Sequence, residues 1–200
     1  MPELSGFKII LSGPKDFWKA DTPVSRHRIP HGSEEPMEFE GQLFSRRIVP
    51  LGSCDEADLV SLLLRLDQPS RVGRFGAVTS DTVLAAHARR ALTDADWISA
   101  VVMETGLCAV AETYKLGSRA PGVAEAAFVV EPRWRRRGIA TALLHACVEW
   151  ARGSGTETLH MVFSRSNWPM RRLAGKGTAS FRILDDEISA DICVADGVPR

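Results

Sequence analysis

The residues whose types and spacing are most able to do chemistry are Arg135-Arg136-Arg137-Gly138-Ile139-Ala140. They lie between an apolar run, Glu125-Ala126-Ala127-Phe128-Val129-Val130, that predicts a buried strand, and an amphipathic run, Ala140 to Arg152, that predicts a helix. A turn of this kind presents several backbone N–H groups at the positive end of a helix dipole, which is a site for a phosphate or pyrophosphate. Gly138 has no Cβ, so the backbone can approach such a group closely. The turn therefore implies a phosphorylated ligand. The local cluster Arg133–Arg137 is strongly basic, but the chain as a whole has 25 basic and 25 acidic residues and a formal net charge of zero. With no repeated basic–aromatic pattern either, nucleic acid is not the expected partner.

The elements that must position this turn are legible from periodicity and punctuation. Two hundred residues suit one domain with a full core. Residues 1–42 stand apart as an irregular N-terminal arm. They hold five of the eleven prolines (with Pro50 just beyond), and offer one short strand at Phe7–Leu11. Such an arm could be disordered, wrap the domain or contact a second subunit, so a homodimer is one expected assembly. His27 and His31 have a metal-ligand spacing, but Pro30 interrupts any helix between them and no third ligand is near, so no metal is expected.

From residue 43 the signals are regular. Leu43–Val49 predicts a strand, Ser53 an N-cap for a helix over Asp55–Leu66, and Thr79–Leu92 a second helix. Trp97–Met103 and Cys108–Leu116 predict a hairpin around Glu104-Thr105-Gly106. Val123–Val130 is the next strand, ended by Pro132. A helix over Ile139–Arg152, a strand over Thr158–Phe163 and a short helix over Asn167–Lys176 follow. Two last strands, Ser180–Leu184 and Glu187–Val194, meet at Asp185-Asp186. This is a mixed α/β domain, with antiparallel hairpins in its first half and strand–helix–strand crossovers in its second. No apolar run approaches about 18 residues, so no membrane span is expected. Met1-Pro2-Glu3-Leu4 lacks the layout of a secretory signal, which points to the cytoplasm. Four scattered cysteines read as small core residues in a reducing compartment.

Two motifs give the chain a family resemblance. Arg135-Arg136-Arg137-Gly138-Ile139-Ala140, preceded by Val130-Glu131-Pro132, resembles the pyrophosphate signature (Arg or Gln)-x-x-Gly-x-(Gly or Ala) of the GNAT superfamily of acyl-CoA-dependent N-acetyltransferases. Asn167 to Lys176 resembles that superfamily's Asn-x-x-(Met or Ala)-x-x-Leu-x-x-Lys motif. The resemblance covers about residues 44 to 194, and a domain over 43–195 is expected. Two further segments resemble the bacterial protein-lysine acetyltransferase-like branch: Asp67–Phe75, similar to its Ser-Arg-x-x-Arg-Phe segment, and the strand Glu125–Val130.

What the resemblance implies can be stated residue by residue. The fold would be a mostly antiparallel twisted sheet of about six to seven strands with about four helices, splayed at Glu125–Val130. Acetyl-CoA would be the co-substrate. The amides of Arg136, Arg137, Gly138, Ile139 and Ala140 would hold its pyrophosphate, with charge from Arg135 to Arg137. Main chain near Phe128, Val129 and Val130 would hold the pantetheine arm, reached also by Asn167, and would supply the oxyanion donor. Glu125 would be the general base, since burial beside an apolar strand raises a carboxylate toward a useful value. Glu112, on the neighbouring strand, is the competing carboxylate, as a second base or a contact for the amine. The tyrosine that many family members carry just after the motif's Leu is Ala174 here. Tyr114 is a candidate acid against a simpler role in packing, and Ser164 and Ser166 are weaker candidates. The acceptor would be a primary amine, on a protein lysine or a small molecule. The alternative is a CoA-binding regulatory or interaction module with weak or lost catalysis.

Overall fold

The computed structural model describes residues 35–39 and 42–194, with side chains from Arg47 onward. Its elements are β1 (Glu35–Phe39), β2 (Gln42–Pro50), α1 (Glu56–Leu64), α2 (Gln68–Phe75), α3 (Asp81–Asp94), β3 (Trp97–Met103), β4 (Gly106–Lys115) and β5 (Val123–Val130). Then follow α4 (Ile139–Gly153), β6 (Thr158–Ser164), α5 (Trp168–Lys176), β7 (Ser180–Leu184) and β8 (Glu187–Cys193). One sheet of eight strands runs β1-β2-β3-β4-β5-β6-β8-β7. Only β5 and β6 pair in parallel, because a helical crossover, α4, connects them.

Strand alternation divides the core between the two faces. Leu143, Leu144, Cys147 and Val148 of α4 pack on Ala111, Ala124, Leu159 and Met161. Leu59, Leu62 and Leu63 of α1 and Leu84 and Ala88 of α3 pack on Ile98, Ala100, Val110 and Val129 of the other face. The expected mixed α/β fold is thus present, and the helix over Ile139–Arg152 and the two final strands match within a residue.

Four details differ from expectation. Glu35–Phe39, inside the stretch read as irregular, forms a strand paired antiparallel with β2, which brings the strands among the described residues to eight; Phe7–Leu11, His27 and His31 lie outside the described residues. Asp55, not Ser53, stands at the N-cap of α1, while Ser53–Asp55 is a short 3-10 turn whose Asp55 carboxylate accepts from Gly52 N–H at 2.7 Å. Helix α2 was not expected and makes five α-helices, although its signals are local: Asp67 caps it by accepting from Ser70 N–H at 3.0 Å, Pro69 sits in its first turn, and Gly76 ends it at φ 73°. Cys54 and Cys193 are exposed, so only Cys108 and Cys147 are core residues.

Arg71 of α2 ties the helical layer together. It donates to the carbonyls of Leu64 (3.0 Å) and Leu66 (3.1 Å) at the end of α1, and to the Thr79 carbonyl (3.1 Å) and Asp81 (2.7 Å) at the start of α3. Carbonyls at a helix end have no partner inside the helix, so one guanidinium meets a need that water would otherwise meet. Arg71→Met should lower the free energy of unfolding by about 2 kcal/mol, measured by urea denaturation. A change below a few tenths of a kcal/mol would show that water replaces the guanidinium without loss.

Candidate active site

The turn between β5 and α4 has the backbone shape of an anion cradle. Arg136 and Gly138 take positive φ, 61° and 75°. The first helical hydrogen bond runs from Ala142 N–H to the Gly138 carbonyl at 2.9 Å. The N–H groups of Ile139, Ala140 and Thr141 therefore have no backbone acceptor among the described residues, and they stand at the positive end of α4.

The arginine side chains mostly brace this turn. Arg135 donates to the Val130 carbonyl at 3.1 Å and to Ser70 Oγ at 2.6 Å, joining the turn to α2. Arg137 donates to the Arg133 carbonyl at 3.3 Å and lies over the Trp134 ring. Arg133 pairs with Glu131 at 2.6 Å and lies over the same ring. Arg136 is exposed.

Beside the turn the sheet opens. β5 and β6 pair at Val123↔Thr158, Ala124↔Leu159 and Glu125↔His160, and then part. Along β5 the backbone groups alternate between its two neighbours. The Val123 carbonyl accepts from Leu116 N–H and Glu131 N–H donates to the Cys108 carbonyl, so odd-numbered residues face β4. Even-numbered residues face the opening, which gives it the main-chain groups of Ala126, Phe128 and Val130. Val129 turns its backbone to β4 and its side chain into the core under α1. An extended ligand arm could pair with Phe128 and Val130 there as a strand would.

Glu125 sits at the last paired rung, where the opening begins. Its side chain is 8% exposed and makes no hydrogen bond to the described residues. Burial pushes its carboxyl up to about 8, with Arg74 pulling against that shift. Glu112 meets the opposite fate. It is 1% exposed and pairs with Arg74 Nη2 at 2.6 Å, His87 Nε2 at 3.0 Å and the Tyr114 hydroxyl at 3.1 Å. Burial pushes Glu112 up, but Arg74 and His87 outweigh it and hold the carboxyl at about 2. A carboxylate so buried and held so far below its ordinary value is a weak base, which tells against Glu112 as second base and leaves it an ion-pair partner of Arg74.

Other candidates fall into place around these two. Tyr114 stands directly across from Glu125 on β4, and its hydroxyl donates to Glu112. Burial first, and then Glu112, raise the Tyr114 hydroxyl above its ordinary value, as expected of a packed strand tyrosine. Asn167 caps α5 by accepting from Met170 N–H at 3.2 Å. Ala174 is wholly buried in the core beside α4, so its side chain does not line the opening. Ser164 and Ser166 are exposed and bond each other at 2.9 Å.

Three residues escaped the sequence reading. Arg74 lies in the Asp67–Phe75 segment without a partner that spacing could reveal. His87 follows Leu84 on the buried face of α3, where an apolar residue would be expected. His160 is beside Glu125 in register, and its Nδ1 is 2.6 Å from Asp191 Oδ1. Strand alternation marks His160 as facing away from Leu159 and Met161, but only the sheet order places it next to Glu125.

The fold, the cradle and the opening agree with what comparison finds. Residues 64–176 match the model of the acetyltransferase (GNAT) family, more than half of the chain, and the chain belongs to that family of acetyltransferases. The GNAT domain of Streptomyces lividans PAT superposes with a TM-score of 0.71 at 20% identity, covering 84% of this chain and 99% of that one. A putative acetyltransferase from Salmonella typhimurium, solved with its cofactor acetyl-CoA, superposes with a TM-score of 0.58 at 12% identity, covering 74% and 94%. The ribosomal-protein-S18-alanine N-acetyltransferase of Escherichia coli gives 0.57 at 16%, covering 74% and 94%. No curated protein matches in sequence. Among the described residues no helix is long and apolar enough to cross a membrane, and no group of three or more His, Cys, Asp or Glu is placed to hold a metal ion.

The two carboxylates make separable demands on stability. Glu112 titrates at about 2 in the fold against an ordinary value of 4.5, so its contribution is full above pH 4.5 and lost as pH falls toward 2. Glu112→Gln leaves Arg74 buried without its charge partner, and should cost about 3–5 kcal/mol at neutral pH. Thermal unfolding across pH should show the gap between native and variant narrowing below pH 4.5. An unchanging gap would mean that the ion pair is not what Glu112 supplies.

Proposed function

We propose that the chain transfers the acetyl group of acetyl-CoA to a primary amine, on a protein lysine or a small molecule, with Glu125 as general base. The observation that carries this reading is a buried carboxylate with no hydrogen-bond partner among the described residues, at the vertex of the opening between β5 and β6. The amides of Ile139 and Ala140, together with the Arg136–Gly138 turn, would hold the pyrophosphate. Main-chain groups of Phe128 and Val130 would hold the pantetheine arm, and Asn167 lies at the start of the helix flanking it.

The electrostatics suit the chemistry. An ammonium such as a lysine side chain has a pKa of about 10.4, and an ordinary Glu takes its proton against a gap of about 6 units, roughly 8 kcal/mol. With Glu125 near 8 the gap falls to about 2.4 units, roughly 3 kcal/mol. The neutral amine then attacks the thioester carbonyl, the C–N bond forms and the C–S bond breaks. The Val130 N–H, which faces the opening, is the candidate donor to the developing oxyanion. A coenzyme A thiol is comparable to cysteine, with a pKa of about 8.5, so the thiolate can leave without a dedicated acid.

Glu125→Gln should lower kcat/KM by about 10²- to 10⁴-fold, with the affinity for acetyl-CoA unchanged in calorimetry. Suitable probes are spermidine and a lysine-bearing peptide, followed by thiol release. In the native protein kcat/KM should rise with pH through about 8, a limb the variant lacks. Full activity in the variant would remove Glu125 as base. Binding of acetyl-CoA without acetylation of any amine would favour the non-catalytic module instead.

Gly138→Val tests the cradle. A β-branched residue at φ 75° is strained by about 1–2 kcal/mol, and its side chain crowds the anion. Affinity for acetyl-CoA should fall at least tenfold by calorimetry, while near-native circular dichroism shows that the fold persists.

A further inference from the structure

The sheet carries a line of polar side chains that leads from Glu125 to solvent. Glu125 of β5 is in register with His160 of β6, and His160 with Asp191 of β8, so the three side chains stand side by side on one face. Neighbouring strands lie about 4.8 Å apart, which places the imidazole within reach of the carboxylate directly or through one water. His160 Nδ1 is 2.6 Å from Asp191 Oδ1, and Asp191 Oδ2 accepts from Arg182 Nη2 at 2.6 Å. His160 Nε2 makes no hydrogen bond to the described residues. Exposure rises along the line, from 8% at Glu125 to 18%, 24% and 69% at the side chains of His160, Asp191 and Arg182.

We propose that His160, oriented by Asp191, relays to solvent the proton that Glu125 takes from the acceptor amine. The proposal rests on the reading of Glu125 as base. An ammonium acceptor loses two protons on becoming an amide, one before attack and one from nitrogen as the C–N bond forms and the C–S bond breaks. One proton goes to the departing sulfur, and the other must reach water. Glu125 is buried and cannot release it freely. Its bond to Asp191 keeps the His160 proton on Nδ1, so Nε2 has the lone pair that receives the proton from Glu125. The imidazolium returns to neutral by giving the Nε2 proton to water. The charged and titratable groups in register with His160, or on the helix packed against β6, are Glu125 on β5, Asp191 on β8, Arg182 on β7 through Asp191, Arg71 and Arg74 on α2, and Tyr114 beyond Glu125 on β4. Arg71 is bound to helix carbonyls and Arg74 to Glu112, so Glu125 and Asp191 are the neighbours left to bias its proton.

The test uses the full chain with acetyl-CoA, and spermidine and a lysine-bearing peptide as acceptors. His160→Gln should lower kcat/KM about 10- to 100-fold and Asp191→Asn about 3- to 10-fold, both with unchanged affinity for acetyl-CoA. The double variant Glu125→Gln/His160→Gln should be no slower than Glu125→Gln, as expected for groups acting in series. Raising the buffer concentration should speed His160→Gln and leave the native protein unaffected. The relay is overturned if His160→Gln stays within twofold of native, or if its loss accompanies weakened acetyl-CoA binding and resists buffer. If the native control itself acetylates neither acceptor and binds no acetyl-CoA, the transferase reading falls and the relay with it. A native protein that turns over beside an unaffected His160→Gln sinks the relay alone.

Discussion

β5 and β6 share three residue pairs and no more, yet neither strand is short of partners. β5 is held by β4 from Ala124 to Val130, and β6 by β8 along its whole length, from Thr158↔Cys193 to Ser164↔Glu187. The opening between them is therefore fixed by hydrogen bonds on its outer sides. Main-chain groups in a protein interior need partners, and a sheet that parts under such constraint leaves the Phe128 groups and the Val130 N–H facing the opening, while Arg135 meets the Val130 carbonyl. The same geometry sets the turn proposed as an anion cradle. Only the turn of residues 131–138 separates the end of β5 from α4, so the helix N-terminus stands at one end of the opening and Glu125 at the other. A long ligand with an anionic group at one end and a reactive group at the other fits that distance along a single strand.

Much of this frame is legible in the sequence because it rests on short-range rules. The α4 stripe of Leu143, Leu144 and Cys147 repeats at helical spacing. The hairpin around Glu104-Thr105-Gly106 and the Asp185-Asp186 turn announce themselves by composition. Helix α2 is harder to see. It is eight residues long and buries only Phe75, so it offers periodicity almost nothing, and its cap, proline and terminal glycine matter only once a helix is suspected.

The side-chain chemistry is less legible because it depends on residues far apart in sequence. Glu112 lies in Cys108–Leu116, a run that alternation reads as half-exposed. Its burial follows from α2 and α3 closing over that face, bringing Arg74 and His87 from 38 and 25 residues away. His160 and Asp191 are adjacent for a reason that neither local sequence contains, the insertion of β8 between β6 and β7. Spacing alone can find a cradle made of consecutive amides, but a cluster assembled across strands needs the register.

Glu112 and Glu125 show how one arginine separates two carboxylates into different roles. Both project from neighbouring strands on one face, and both are removed from water. Left alone, each would favour its protonated form, and two such groups would be poorly distinguished. Arg74 breaks the tie by bonding Glu112 at 2.6 Å, with His87 and Tyr114 also bonded to that carboxylate. Glu125 receives only the weaker, longer-range pull of the same guanidinium, and so stays near 8. The pull is still useful. Without it the carboxyl would sit higher still and lose its proton only in more alkaline solution, and with Arg74 closer it would be a permanent anion and a weaker base. The position of Arg74 on α2, a helix itself pinned by Arg71 and by the Ser70–Arg135 bond, thus connects the stability of the helical layer to the basicity of the group at the opening.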